Sequence, residues 1–167
     1  MQQPAFFMEL LYDDPYVGNI ELADKYVVTF LASSATPEED WAKVERWLED
    51  EIYGTDKVVM SGFHSPFEQR VLQRLFDHKH PAILYLARSL YKRPPQEYTL
   101  PLAENRLLIL AYYEQCDRIS YRHSSHRNSA LINMADEVVT IGVTQTSKIS
   151  TMLNLLRQTS NKAFREL

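Results

Sequence analysis

Scarcity frames this chain of 167 residues: one cysteine, four glycines and no long apolar run. The lone thiol, Cys116, excludes an intramolecular disulfide and any multi-cysteine metal site. Its place among apolar neighbours in a helical stretch reads as an inert buried cysteine rather than a nucleophile. Neither G-x-G-x-x-G nor G-x-x-x-x-G-K-[ST] occurs, so the dinucleotide fingerprint and the NTPase phosphate loop are both excluded. No stretch approaches the roughly 18 apolar residues that span a bilayer. Met1-Gln2-Gln3-Pro4-Ala5 lacks the basic lead of a secretory signal, so a cytoplasmic protein without a membrane partner is expected. Positive charge is short too. A net charge of −4 argues against a protein that coats duplex DNA through its phosphates.

What is present fits one ordinary globular domain, with 45% apolar and 24% charged residues. The charge is uneven along the chain. Residues 1–56 carry 13 acidic and 3 basic side chains, whereas residues 57–167 carry 9 acidic and 15 basic ones. The basic excess includes Arg88, Lys92, Arg93, Arg106, Arg118, Arg122 and Arg127. That leaves room for a local patch facing one anionic ligand or a short single strand.

Short β-branched runs alternate with helical patterns. Tyr26–Ala32, Lys57–Met60, Ala82–Leu86 and Glu137–Val143 read as strands, and a fifth is expected at Asp117–Tyr121. Thr36-Pro37 followed by three acidic residues reads as an N-cap and first turn. The helix that follows turns one face inward through Trp41, Val44, Trp47, Leu48 and Ile52. Further helices are expected at Pro66–Phe76, Leu102–Gln115, Ser125–Ala135 and Ser147–Gln158, with a loop of about a dozen residues from Arg88 to Leu100. Residues 1–25 form an N-terminal capping segment with Phe6, Phe7, Leu10 and Leu11, and residues 26–160 form the domain proper. The expected fold is a three-layer α/β, Rossmann-like one: a doubly wound, mostly parallel sheet of about five strands flanked by helices.

In such a sheet, ligands sit beyond the carboxyl ends of the strands, where the winding reverses. Two stretches stand out there. Val58-Val59-Met60-Ser61-Gly62 is a strand running into Ser-Gly, and Ser124-Ser125-His126-Arg127-Asn128 is a polar turn opening a helix. Free amides at a helix start, hydroxyls and an arginine fork together suit an anion. The candidate ligand-binding residues are Ser33, Ser34, Ser61, Gly62, His64, Arg88, Arg127, Asn128, Thr146 and Ser147. No catalytic set is complete, so the reading leans away from an enzyme. His64 with Glu68 is an i, i+4 pair suited to a general base, and His123 and His126 flank Ser124 and Ser125. Asp117, His123 and His126 match no strong metal-ligand pattern, and neither a cofactor nor a metal is expected.

The order of these motifs carries a resemblance. A strand leading into Ala32-Ser33-Ser34-Ala35-Thr36-Pro37 comes first, then Ser61-Gly62 with Glu68, then the apolar strand Ile83–Leu86. Arg127-Asn128 precedes Met134-Ala135-Asp136-Glu137-Val138-Val139. Over about residues 26–156 this is similar to the DNA-processing protein A (Smf) family, and more broadly to the SLOG superfamily with its "lonely guy" phosphoribohydrolases. Ser34 stands where that family has an arginine, the second glycine of its Ser-Gly loop is replaced near His64-Ser65-Pro66, and its last Ser-Gly-Ser turn reads Thr146-Ser147-Lys148. The resemblance implies a pocket for a nucleotide-like anion, with Ser61, Gly62, Arg127, Asn128 and Ser147 at the matching positions. The phosphoribohydrolase glutamate has no counterpart in Gly142–Ser147. Three functions follow in order: binding of a nucleotide-derived or phosphate-bearing small molecule, single-stranded DNA binding with Tyr91, Tyr98 and Tyr121 stacking on bases, and nucleoside monophosphate hydrolysis. Relatives associate, and Tyr112-Tyr113 would suit a homo-oligomer contact.

Overall fold

The computed structural model describes residues 15–112, 120–144, 148–159 and 161–167. Its strands are β1 (Tyr16–Gly18), β2 (Val27–Ala32), β3 (Val58–Ser61), β4 (Ala82–Leu86), β5 (Leu107–Ala111), β6 (Glu137–Ile141) and β7 (Ala163–Glu166). They form one sheet in the order β1-β5-β4-β3-β2-β6-β7. All neighbours are parallel except β1, which runs antiparallel to β5. The helices are α1 (Trp41–Trp47, continued by a wide turn Leu48–Ile52), α2 (Pro66–Asp77), α3 (Thr99–Ala103), α4 (Tyr121–Met134) and α5 (Lys148–Thr159).

Burial on both faces explains the strand sequences. Along β2, Val28 and Phe30 enter one apolar layer with Trp41, Val44, Trp47, Val71 and Leu75, while Val27 and Leu31 enter the opposite layer with Leu131, Ile132 and Leu153. Alternate side chains of a strand point to opposite faces, so a strand covered twice must be apolar throughout. Phe30 stacks on Trp47 with centroids 5.3 Å apart. The result is the three-layer, doubly wound α/β architecture expected of the sequence, with a sheet wider than expected.

Four of the five expected strands are present. The expected helix Leu102–Gln115 is not: Leu107–Ala111 forms β5, at the heart of the parallel stack. Helix α3 stops at Ala103, and Asn105 follows in the left-handed region at φ 59°, which breaks the helix before the strand. The expected strand Asp117–Tyr121 lies largely outside the described residues, as does Cys116. Where the chain is described, Ser120 is a helix cap and Tyr121 already helical. Thr36 does not cap the first helix. Its hydroxyl donates to the Ser33 carbonyl at 2.6 Å instead. Residues 16–18 do not merely cap the domain, because β1 adds an edge strand on β5. At the other edge, β7 extends the sheet beyond residue 160.

From β2 the chain winds through β3, β4 and β5 to one side, while β6 and β7 lie on the other. The reversal falls between β2 and β6. This is the crevice where an open α/β sheet places its ligands.

Candidate functional site

Among the described residues, two hollows lie at the carboxyl ends of the strands. The smaller, about 260 Å³, sits at the reversal point and is lined by Ser33 and Ser34 after β2, His64 and Glu68 around the start of α2, Ser124, Arg127 and Asn128 on α4, and Val143 and Thr144 after β6. The larger, about 450 Å³, lies beside it over β3 and β4. His64 and Arg127 line both.

Arg127 reaches this position because α4 crosses from β5 back to β6. Ser120 caps that helix, its hydroxyl accepting from the His123 N–H at 3.2 Å. Arg127 therefore sits in the second turn, not at the helix start that Ser124-Ser125 suggests. Its contribution is a side-chain charge, not the helix-terminal amides expected of the sequence. The side chain is 5% exposed. Nη1 donates to the Tyr85 carbonyl at 3.3 Å and Nε to the Asn128 side-chain oxygen at 2.9 Å. Nη2 has no hydrogen-bond partner among the described residues. Burial pushes the guanidinium below the ordinary arginine range, and the Glu68 carboxylate opposes that shift. Arginine stays cationic under such pressure, so a desolvated positive charge lines both hollows.

Gly62 makes room for it. A Cβ on Gly62 would lie 2.0 Å from Arg127 Nη1 and 2.3 Å from Cζ. The glycine of the Ser-Gly turn thus serves close approach of the guanidinium. The next residue, Phe63, holds a left-handed φ of 46° while buried. Such strain in a non-glycine residue persists only where its surroundings enforce it. Ser61 is fully buried, and its hydroxyl accepts from the Phe63 N–H at 3.1 Å. It braces the turn and lines neither hollow.

Glu68 holds the wall. It is 6% exposed, and its carboxylate accepts from the backbone N–H of Ala32 at 2.9 Å, His64 at 3.0 Å and Ser65 at 3.4 Å. Ser65 and Glu68 form a capping box at the start of α2, and the bond to Ala32 ties that box to the end of β2. This overturns the idea of Glu68 orienting a general base on His64, because backbone donors of three residues occupy the carboxylate. The sequence signal was the spacing Ser65-x-x-Glu68. The Ser33–Thr36 turn is held on its other side by Gly142, at φ 68°, where a Cβ would meet the Thr36 hydroxyl at 2.3 Å.

Of the sequence candidates, then, Ser33, Ser34, His64, Arg127 and Asn128 gather around the smaller cleft, and Gly62 joins His64 and Arg127 around the larger cavity. Arg88 lines neither. It donates to the Ser89 carbonyl at 3.3 Å and lies 5.1 Å over the Tyr91 ring. Thr146 and Ser147 lie outside the described residues, as does Asp117. His126 is not in the cleft lining, and its ring is 6.1 Å from that of Tyr112. Among the described residues no group of three or more His, Cys, Asp or Glu side chains is placed to hold a metal ion. The sequence reading missed the side walls of the larger cavity: Gln69, Leu72, Gln73 and Phe76 from α2, and Glu97 before α3.

No protein-family model and no curated protein matches the sequence. Solved structures do match. One is DNA processing protein A from Helicobacter pylori, described for its single-stranded DNA binding mode, at 20% identity and TM-score 0.71 over 99% of this chain and 78% of that one. Another is DNA processing protein A from Streptococcus pneumoniae, at 15% identity and TM-score 0.61 over 89% of this chain. The fold is that of DNA processing protein A. The chain spans 61% of the length of the pneumococcal protein. The Rossmann-like resemblance read in Ser61-Gly62 and Arg127-Asn128 is thus met by the three-dimensional fold. No helix among the described residues is long and apolar enough to cross a membrane.

Proposed function

We propose that the chain binds single-stranded nucleic acid at the carboxyl ends of β2, β3 and β4, with a backbone phosphate in the Arg127 cleft and the adjoining base in the larger cavity. The observation that carries this reading is the buried Arg127 guanidinium, shared by a polar cleft and a cavity walled by Phe63, Phe76, Tyr91 and Tyr98. A desolvated arginine binds phosphate through charge-assisted hydrogen bonds. Aromatic walls stack bases of any sequence, at about 1–3 kcal/mol each. Arg88, Lys92 and Arg93 flank Tyr91 on the loop beside that cavity, giving the strand further cations to follow. The likeness to the Helicobacter protein supports the same reading. Fully paired duplex is expected to bind worse, because its bases are not available to enter the cavity.

Titration of a labelled oligodeoxynucleotide at several salt concentrations tests this. Binding that weakens steeply with salt, and Arg127→Ala weakening it by about 1–3 kcal/mol, is the expected result. Equal affinity of wild type and Arg127→Ala would take the phosphate out of this cleft. A nucleotide-derived small molecule is the second reading, favoured by two adjoining hollows that suit one phosphate and one base. It predicts that a mononucleotide competes as well as an oligonucleotide.

A further inference from the structure

The larger cavity has a chemical bias that its aromatic walls do not supply. Away from His64 and Arg127, its polar lining comes from Gln69, Gln73, Glu97 and the two tyrosines. Each glutamine's amide nitrogen is already engaged: Gln69 Nε2 donates to the His64 carbonyl at 3.0 Å, and Gln73 Nε2 to the Asp77 carboxylate at 2.9 Å. Those bonds fix which end of each amide is nitrogen, and each amide keeps its carbonyl oxygen and one N–H for a guest. Glu97 is exposed, has no hydrogen-bond or ion-pair partner among the described residues, and lies near enough to Tyr91 and Tyr98 to act on both phenols. The Tyr91 and Tyr98 rings lie with centroids 6.2 Å apart. Around the ring-stacking walls, then, Glu97 is the one carboxylate of the lining and the one side-chain group there that can only accept.

Bases differ in what they offer such a wall. Guanine presents N1–H and its 2-amino group side by side, two parallel donors that match one carboxylate. Adenine and cytosine each pair one amino group with an acceptor nitrogen. Thymine and uracil present a single N–H between two carbonyls, which face a carboxylate unfavourably.

We propose that the cavity prefers guanine among the bases of a bound single strand, read by Glu97 through its Watson–Crick edge. The proposal rests on the single-strand reading above. A surface glutamate is repelled by the phosphates of a non-specific strand, so a carboxylate at this mouth is useful only if a base repays it with donors. Glu97 is thus a specificity-determining residue, and the stacking walls serve every base alike.

The test uses the full chain and short all-thymine strands carrying one central guanine, inosine, adenine or cytosine, a single guanine preventing four-stranded association. The guanine strand is expected to bind about five- to tenfold tighter than the all-thymine strand, the discrimination of one bidentate base contact. Inosine, which lacks the 2-amino group, gives back part of that gain, and in Glu97→Gln the guanine-to-thymine ratio falls toward one. Equal affinities for all strands, with binding still dependent on Arg127, would overturn the guanine preference and leave the single-strand reading standing. A ratio unchanged in Glu97→Gln would overturn the role of Glu97. Failure of every strand to bind would remove both.

Discussion

The two ends of the sheet carry hollows of comparable size but opposite chemistry. At the amino-terminal end, cavities of about 500 Å³ and 490 Å³ open around Lys57 and around His80. The buried and half-buried polar groups of that end close on the protein itself. The His80 ring Nε2–H donates to the Lys57 carbonyl at 2.6 Å, the Asp136 carboxylate takes the Val27 N–H at 2.8 Å, and the Lys162 ammonium donates to the Ile132 carbonyl at the end of α4. At the carboxyl end one buried charge, Glu68, is likewise closed on backbone donors, while Arg127 retains an uncommitted nitrogen. Volume therefore does not distinguish the two ends. What distinguishes them is a desolvated charge whose hydrogen bonds are incomplete, and in this fold that charge stands at the winding reversal.

The largest effect should come from the closed charge. Glu68→Ala removes the acceptor for N–H groups of Ala32, His64 and Ser65, and unmet buried donors together with a lost cap should cost about 3 kcal/mol or more of stability in urea unfolding. A loss of under about 1 kcal/mol would mean that Glu68 does not hold the wall. Gly62→Ala is the sharper probe of the open charge. Its Cβ must displace the Arg127 guanidinium, the movable end of a flexible side chain. Oligonucleotide affinity should therefore fall about as far as in Arg127→Ala, with little change in melting temperature. Unfolding without any preferential loss of binding would contradict that role.

The smallest effect belongs to the amino-terminal end. Burial lowers the pKa of His80 below its ordinary 6.5, against the Lys57 carbonyl, which raises it. The unfolded chain then binds the proton more readily, so this contribution is fully present above about pH 6.5 and is lost as pH falls below it. Urea midpoints should drop on acidification, and His80→Gln should flatten the drop. An equal drop in that variant would place the pH dependence elsewhere.

Legibility followed burial. Strands β2, β3 and β6 are readable because β-branched runs give way to hydroxyl or glycine residues, and β4 because Pro81 opens a short apolar run that ends before Arg88. Leu107–Ala111 lacks alternation like the other strands buried on both faces, but no proline marks its start as Pro81 marks that of Ala82–Leu86, and its leucines suit a helix as well. The edge strands β1 and β7 are only three and four residues long and mostly exposed, so they carry almost no pattern. For the site, chemistry was legible but geometry was not. Arg127-Asn128 and Ser61-Gly62 are visible in the sequence. That the glycine admits the arginine depends on a helix start set by Ser120, with Ser124 and Ser125 competing as caps. Glu68 shows locally as a capping residue, and its bond to Ala32 spans 36 positions.

A crystal structure of the chain with a short single strand tests the central claim most directly. The account predicts a phosphate oxygen within hydrogen-bond distance of the Arg127 guanidinium and a neighbouring base among Phe63, Phe76, Tyr91 and Tyr98. A strand seated at the amino-terminal end of the sheet, with the Arg127 cleft unchanged, would contradict it.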